Sequence, residues 1–496
     1  MPLFVPFRLL PIVCMLSVVA FLIGIEFQLC LAGEADAPKY QFPKRPNIVL
    51  MVADDLGAVD LACYGSDLHE TPHLDRFARQ SIFFTNAYAA GSICTPTRAS
   101  ILTGKTPAKL HMTIWREWAL EPPESDQNRK VVPPKSISNL PLEEYTLAEA
   151  LQDEGYATVH IGKWHLGVER YFPQFHGFDI QLGGNEWGCP TTFFHPFYKG
   201  DPKHSSSRRI RPLDKLGKPG EYLTDRITTE ALSIVDQVKH NPFFLHINWW
   251  NPHFPIEAPQ PLVDKYSKKV RPELKHQNET YAGMIEILDN NFQRVIEHFR
   301  KNGLAENTVF IFTSDNGGSV HKHNGRSMTN NFPFRSGKGA LYEGGTRVPL
   351  LIYWPGVTPQ SGAVCDEMVS TIDFYPTILE LVGAKGSEQQ NRDMEGISFA
   401  SLLHAPDTKL DRNTLYWHYP HYYPTTGPVS SIREDNWKLV YYYKTGGNVA
   451  ELYDLKEDKG ESKNLAAQEP QLTKRLTEKL LAMLNESNAR LPTIRD

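Results

Sequence analysis

Four short apolar runs in this chain are each followed at once by residues that bind cations, carry charge or move protons. Asn47–Ala53 leads into Asp54 and Asp55, 157–161 into Lys163 and His165, Phe243–Asn248 into Asn251-Pro252-His253, and 308–313 into Asp315 and Asn316. One such ending is coincidence; four imply a shared site with three carboxylates, an amide, a lysine and two histidines. Asp54, Asp55, Asp315 and Asn316 all offer hard oxygen donors, which suit Ca²⁺ or Mg²⁺ better than a soft metal. Either pair alone has a plainer account, since Asp caps helices and Asp-Asn-Gly-Gly makes turns. Two adjacent carboxylates at a buried strand end, however, repel unless something cationic neutralises them.

For these endings to meet, the four runs must lie side by side. Each is short, β-branched or aromatic and almost continuously apolar, as strands buried on both faces read. Helical patterns at 74–80, 146–154, 224–239 and 281–302 alternate with them. That alternation predicts an α/β domain around a large, mainly parallel sheet flanked by helices, with ligands beyond the carboxyl ends of the strands. The tail differs. Short strands at 415–419, 429–433, 437–443 and 451–453, then a helix at 471–484, predict a small C-terminal antiparallel sheet plus helix. The expected division is a signal peptide over 1–32, a catalytic domain over 40–405 and a C-terminal subdomain over 406–496. Residues 121–141 and 199–220 read as surface loops, the second with a basic cluster at Arg208, Arg209 and Arg211. That cluster reads first as a solvated loop and second as a contact for an anionic polymer.

The chain has 496 residues, with 52 Lys plus Arg against 57 Asp plus Glu, a net charge of −5. This balance does not point to nucleic acid, so an anionic ligand would have to be met by cations gathered locally. Arg8, the apolar run 9–25 and the small residues Ala32 and Gly33 read as an export signal cleaved near Ala32. A membrane anchor and lipidation at Cys30 are the alternatives. Of six cysteines, Cys14 and Cys30 lie in or near the signal. Cys63, Cys94, Cys189 and Cys365 are widely scattered, which is no disulfide framework; one bridge is possible and its pairing is undetermined.

The most specific string is Cys94-Thr95-Pro96-Thr97-Arg98-Ala99-Ser100-Ile101-Leu102-Thr103-Gly104. It resembles the signature of the sulfatase family, in which the cysteine is oxidised to formylglycine. The resemblance covers nearly the whole mature chain. It extends to Pro46-Asn47-Ile48 through Asp54-Asp55, Thr71-Pro72-His73-Leu74-Asp75, Gly162-Lys163-Trp164-His165-Leu166-Gly167, Ser314-Asp315-Asn316-Gly317, Gly337-Lys338 through Gly345, and Ser370 to Thr377.

The resemblance implies an alkaline-phosphatase-like fold and a cation, calcium before magnesium, held by Asp54, Asp55, Asp315, Asn316 and the modified Cys94. It places Arg98, Lys163, His165, His253 and Lys338 around the sulfate. A hydroxyl of the aldehyde hydrate would attack sulfur; His253, or else Lys338, would protonate the departing alcohol, and His165 would take the proton of the second hydroxyl. The implied activity is sulfate monoester hydrolysis by an arylsulfatase-like enzyme that is secreted or periplasmic, on sulfated carbohydrate or aryl sulfate, after action by a formylglycine-generating or sulfatase-maturating enzyme. No nucleic-acid partner and no stable membrane span after signal cleavage are expected. Two rivals stand beside it: a phosphonate or phosphodiester hydrolase of the same superfamily, and a non-catalytic sulfated-glycan binder if Cys94 stays unmodified. Trp115, Trp118, Trp187, Trp249 and Tyr198 are candidates for stacking on sugars, and Trp249-Trp250-Asn251 for shaping the pocket.

Overall fold

In the computed structural model, which describes residues 42–495 apart from 44, 202, 205–207 and 324, the strand Asn47–Ala53 (β1) is buried along its whole length. Val49, Met51 and Ala53 enter one apolar layer, and Ile48, Leu50 and Val52 the other. That is the period-two alternation of a strand with a core on each face. The run 9–25, and with it the export signal, Cys14 and Cys30, lies outside the described residues.

Around β1 stand Ile82–Phe84 (β2), Ala157–Gly162 (β3), Ile180–Leu182 (β4), Phe243–Asn248 (β5), Thr308–Ser314 (β6), Leu350–Tyr353 (β7) and Ala363–Cys365 (β8), in the order β8-β2-β7-β6-β1-β5-β3-β4. From β6 across to β4 every pairing is parallel. β7 runs antiparallel to both its neighbours, and β8 is parallel to β2. The four chemistry-bearing strands β6, β1, β5 and β3 are therefore consecutive, and their carboxyl ends open on one edge.

Helices cover both faces. Leu223–Val238 (α4) and Glu279–Lys301 (α5) pack Ile227, Val235, Met284 and Phe292 on one side. Cys94–Thr103 (α2), Leu147–Asp153 (α3) and Phe374–Val382 (α6) pack Ile101, Leu151 and Ile378 on the other. The short helix Pro72–Ala78 (α1) lies with the first group through Leu74 and Phe77. α3 starts at a reciprocal cap: Thr146 accepts from the Glu149 N–H, and Glu149 accepts from the Thr146 N–H. The two loop segments carry short elements of their own, Glu124–Gln127 and Val131–Val132 in the first and Leu213–Leu216 in the second.

Thr414–Tyr419 (β9), Val429–Glu434 (β10), Trp437–Tyr442 (β11) and Val449–Asp454 (β12) form the antiparallel tail sheet. Leu476, Leu480 and Leu484 of Pro470–Glu486 (α7) cover one face through Ile432, Leu439 and Leu452. The other face sets Trp417 and Val440 against Tyr88, Ile93 and Leu341, and the Trp417 indole donates to the Ala89 carbonyl at 2.8 Å. Across this seam the wholly buried Lys438 ammonium pairs with Glu343 at 2.8 Å and Glu461 at 3.1 Å. The described residues from 42 to 495 form one compact unit. Cys63, Cys94, Cys189 and Cys365 are all free, so no bridge is made among the described residues.

Candidate active site

Asp54 and Asp55 leave β1, and Asp315 and Asn316 leave β6, so parallel pairing of the two strands brings all four together. Their hydrogen bonds lock the cluster. The Asp55 N–H donates to Asp315 Oδ1 at 3.2 Å, and the Asn316 amide donates to Asp55 Oδ1 at 2.8 Å. Asp54 Oδ1 and Asn316 Oδ1 are buried with no protein partner. Burial, together with the carboxylates of Asp315 and Asp55, holds Asp54 well above the usual carboxylate range in spite of Lys163. Three buried carboxylates and two orphaned oxygens are what a hard divalent cation satisfies, so the residues fit such an ion. Asp55 pays for its aim in backbone strain, with φ at 64°, a left-handed conformation costing on the order of 1–3 kcal/mol for a non-glycine residue.

Cys94 is the first residue of α2, and its Sγ lies within 4.8 Å of ligand oxygens of Asp54 and Asp315. The helix start suits an anion there. His165 Nδ1 stands 3.4 Å from Sγ. Burial opposes a thiolate, but Lys163, His165 and Lys338 outweigh it and draw Cys94 down to about 6. Lys163 donates to Asp54 Oδ2 at 2.7 Å, and Lys338 reaches Asp55 at 2.8 Å and His253 Nε2 at 3.0 Å. Burial and the Lys338 charge push the His253 ring down to about 3, and its Nδ1 faces the Phe254 carbonyl at 2.8 Å. The His253 ring and the Lys338 ammonium are thus within hydrogen-bond distance of each other and can share one proton. Gly162 makes the turn into Lys163 possible: it has φ 96°, and a Cβ there would stand 2.0 Å from the Asn248 carbonyl oxygen.

The site residues expected from the sequence thus enter one cluster; Asp55, Cys94, His165, His253 and Lys338 line the pocket, and Asp54, Arg98, Lys163, Asp315 and Asn316 are buried against them. Arg98, 3% exposed, grips Asp315 at 2.8 Å and the Asn248 side chain at 2.7 Å. Asn248 and Glu117 were not legible as site residues. Glu117, in Arg116–Leu120, takes the His165 Nε2–H at 2.6 Å and the Gly188 N–H at 3.1 Å. Burial works against a charged His165, yet the Glu117 carboxylate and the Cys94 sulfur lift it above its ordinary value. A lone glutamate between two tryptophans carries no sequence signal for this role. Two aromatic expectations are overturned: Trp249 and Trp250 are 0% and 1% exposed and belong to the core, and the Asn251 amide is spent on the Met284 carbonyl. Trp115 does line the pocket.

A family model described as Sulfatase matches residues 46–384, and one described as N-sulphoglucosamine sulphohydrolase, C-terminal, matches 336–488. A protein named sulfatase from Formosa agariphila is 30% identical over 90% of each chain. The N-acetylgalactosamine-6-sulfatase of Homo sapiens is 31% identical over 76% of this chain and 69% of its own. Among solved structures, Ps i-CgsB superposes with a TM-score of 0.71 at 28% identity, over 89% of this chain and 93% of that one; it has also been solved with k-i-k-neocarrahexaose. The chain belongs to the sulfatase family of enzymes.

Proposed function

We propose that this protein hydrolyses sulfate monoesters of extracellular sulfated carbohydrates, using a formylglycine made from Cys94 beside a bound divalent cation, calcium first and magnesium second. The observation that carries the reading is the position of Cys94: at the start of α2, between the carboxylates of Asp54 and Asp315, with His165 at 3.4 Å. The cation held by Asp54, Asp55, Asp315 and Asn316 would supply positive charge and make a hydroxyl beside it more acidic. The formylglycine hydrate would supply a hydroxyl that attacks sulfur and a second one whose deprotonation frees sulfate.

The chain's own residues do the rest. Arg98 fixes Asp315, and Lys163 fixes Asp54, so the ligand oxygens are held in place before substrate arrives. Lys338 offers charge to the sulfate oxygens and, with His253, a proton to the departing alcohol. His165, oriented by Glu117, takes a proton from the group at position 94. Relatives named N-acetylgalactosamine-6-sulfatase and arylsulfatase support sulfated sugars as natural substrates and aryl sulfates as artificial ones. Export rests on the N-terminal sequence alone.

The test is sulfate release from nitrophenyl sulfate and from defined sulfated oligosaccharides, with the mass of the Cys94 peptide measured on the same sample. Activity that scales with the aldehyde fraction is the expected result. Phosphonate or phosphodiester turnover exceeding sulfate turnover would overturn it in favour of that rival. Binding without turnover by protein whose Cys94 is demonstrably an aldehyde would also defeat it.

A further inference from the structure

Of the basic cluster at 208–211, only Arg208 turns into the active-site pocket, a cavity of about 300 Å³. Arg209 is neutralised by Asp214 and stacks over Tyr198. Arg208 is different. Its guanidinium contacts the Cys189 sulfur at 2.8 Å and lies 5.3 Å from the Trp187 ring, and it makes no ion pair among the described residues. Burial pushes the Cys189 thiol up, so the sulfur is neutral. The protein thus gives this permanent charge a neutral sulfur and an aromatic face, but no counter-charge. The other cations of the site are paired, Lys163 with Asp54, Arg98 with Asp315 and Lys338 with Asp55. Gly188, next to Cys189, abuts the His165 ring so closely that a Cβ would stand 2.6 Å from it. Arg208 therefore lines the same pocket as Cys94 and His165. The pocket volume lies at the small end of ligand sites and suits about one sugar ring, with Trp115 and Phe254 as apolar walls.

We propose that Arg208 is a specificity residue that binds a second anionic group, sulfate or carboxylate, on the sugar unit carrying the scissile sulfate or on its neighbour. The proposal rests on the sulfatase reading of the pocket and adds to it a substrate class: carbohydrates with more than one negative charge close together. A guanidinium fork is matched to either anion.

The experiment compares three sugars: a hexose monosulfate, the same sugar with a second sulfate, and the same sugar with a carboxylate instead. For wild type, Arg208→Ala and Arg208→Lys, two ratios of doubly to singly charged sugar are read. One is kcat/KM on the matured enzyme; the other is binding affinity by calorimetry on the Cys94→Ala background. Wild type should favour one doubly charged sugar by about tenfold or more, as a charge-assisted contact does. The ratio should fall toward one in Arg208→Ala and to an intermediate value in Arg208→Lys. The sulfate and carboxylate arms tell which anion is read. A wild-type ratio of one, or a ratio unchanged by Arg208→Ala, overturns the proposal. If Arg208→Ala merely loosens the fold, all sugars weaken in step and the ratio again stays put. Absence of sulfate release with the binding ratio intact would strike the catalytic reading and leave this subsite standing.

Discussion

At the scale of single residues, the proposed chemistry centres on position 94. Cys94→Ala should fold, with a melting temperature close to wild type, and have no measurable sulfate release; wild-type turnover in that variant would sink the mechanism. His253 and Lys338 are coupled across 3.0 Å, so their roles separate only by leaving group. His253→Ala should lose about a hundredfold or more in kcat/KM on a sugar sulfate and less than about tenfold on an activated aryl sulfate, because a phenolate leaves without a proton. Equal losses on both would leave Lys338 as the acid. Glu117 predicts a pH effect. Its charge lifts His165 above the ordinary value against the pull of burial. As a base His165 must be neutral, so Glu117→Gln should move the acid limb of the pH–rate profile to lower pH while kcat falls about tenfold. The stability of the Glu117–His165 pair is present only while Glu117 is ionised and His165 protonated. It is lost as pH falls through the depressed Glu117 value, and lost again as pH rises through the raised His165 value.

At the scale of elements, the parallel order β6-β1-β5-β3 decides which residues meet. The apolar runs announced these strands, because a strand buried on both faces can hardly be written otherwise. The residues at their ends announced the cation cluster. Glu117 announced nothing: it reaches His165 only because the chain folds back over the strand ends. The tail sheet is joined to the body by a buried charge network rather than by apolar contact alone. Lys438→Met would leave Glu343 and Glu461 facing each other without their ammonium. It should cost about 3–5 kcal/mol, read as a lower denaturant midpoint, since removing one partner of a buried ion pair strands the others. A change within experimental error would show that the network is neutral to stability.

At the scale of the whole molecule, the proposed cation site would couple activity to stability. An ion that binds the native state alone stabilises it by about 2.7 kcal/mol at a hundredfold excess over Kd. Complete chelation should therefore lower the melting temperature and abolish turnover together, and calcium or magnesium should restore both. A metal-free sample, verified by elemental analysis, with unchanged turnover would contradict the assignment of Asp54, Asp55, Asp315 and Asn316. No helix among the described residues is long and apolar enough to cross a membrane.

Taken alone, the sequence determined the fold class and the family, and it pointed to the residues from Asp54 to Lys338 that the fold gathers into one cluster, because hydrophobic period and ordered motifs are local properties of the chain. Only the tertiary structure decided what surrounds them. That Arg98 grips Asp315, that Trp249 and Trp250 are core, and that Arg208 enters the site while Arg209 pairs with Asp214 depend on neighbours far away along the chain. A side chain's direction and its partners are set by which distant segments pack beside it, and no local pattern of residue types encodes that.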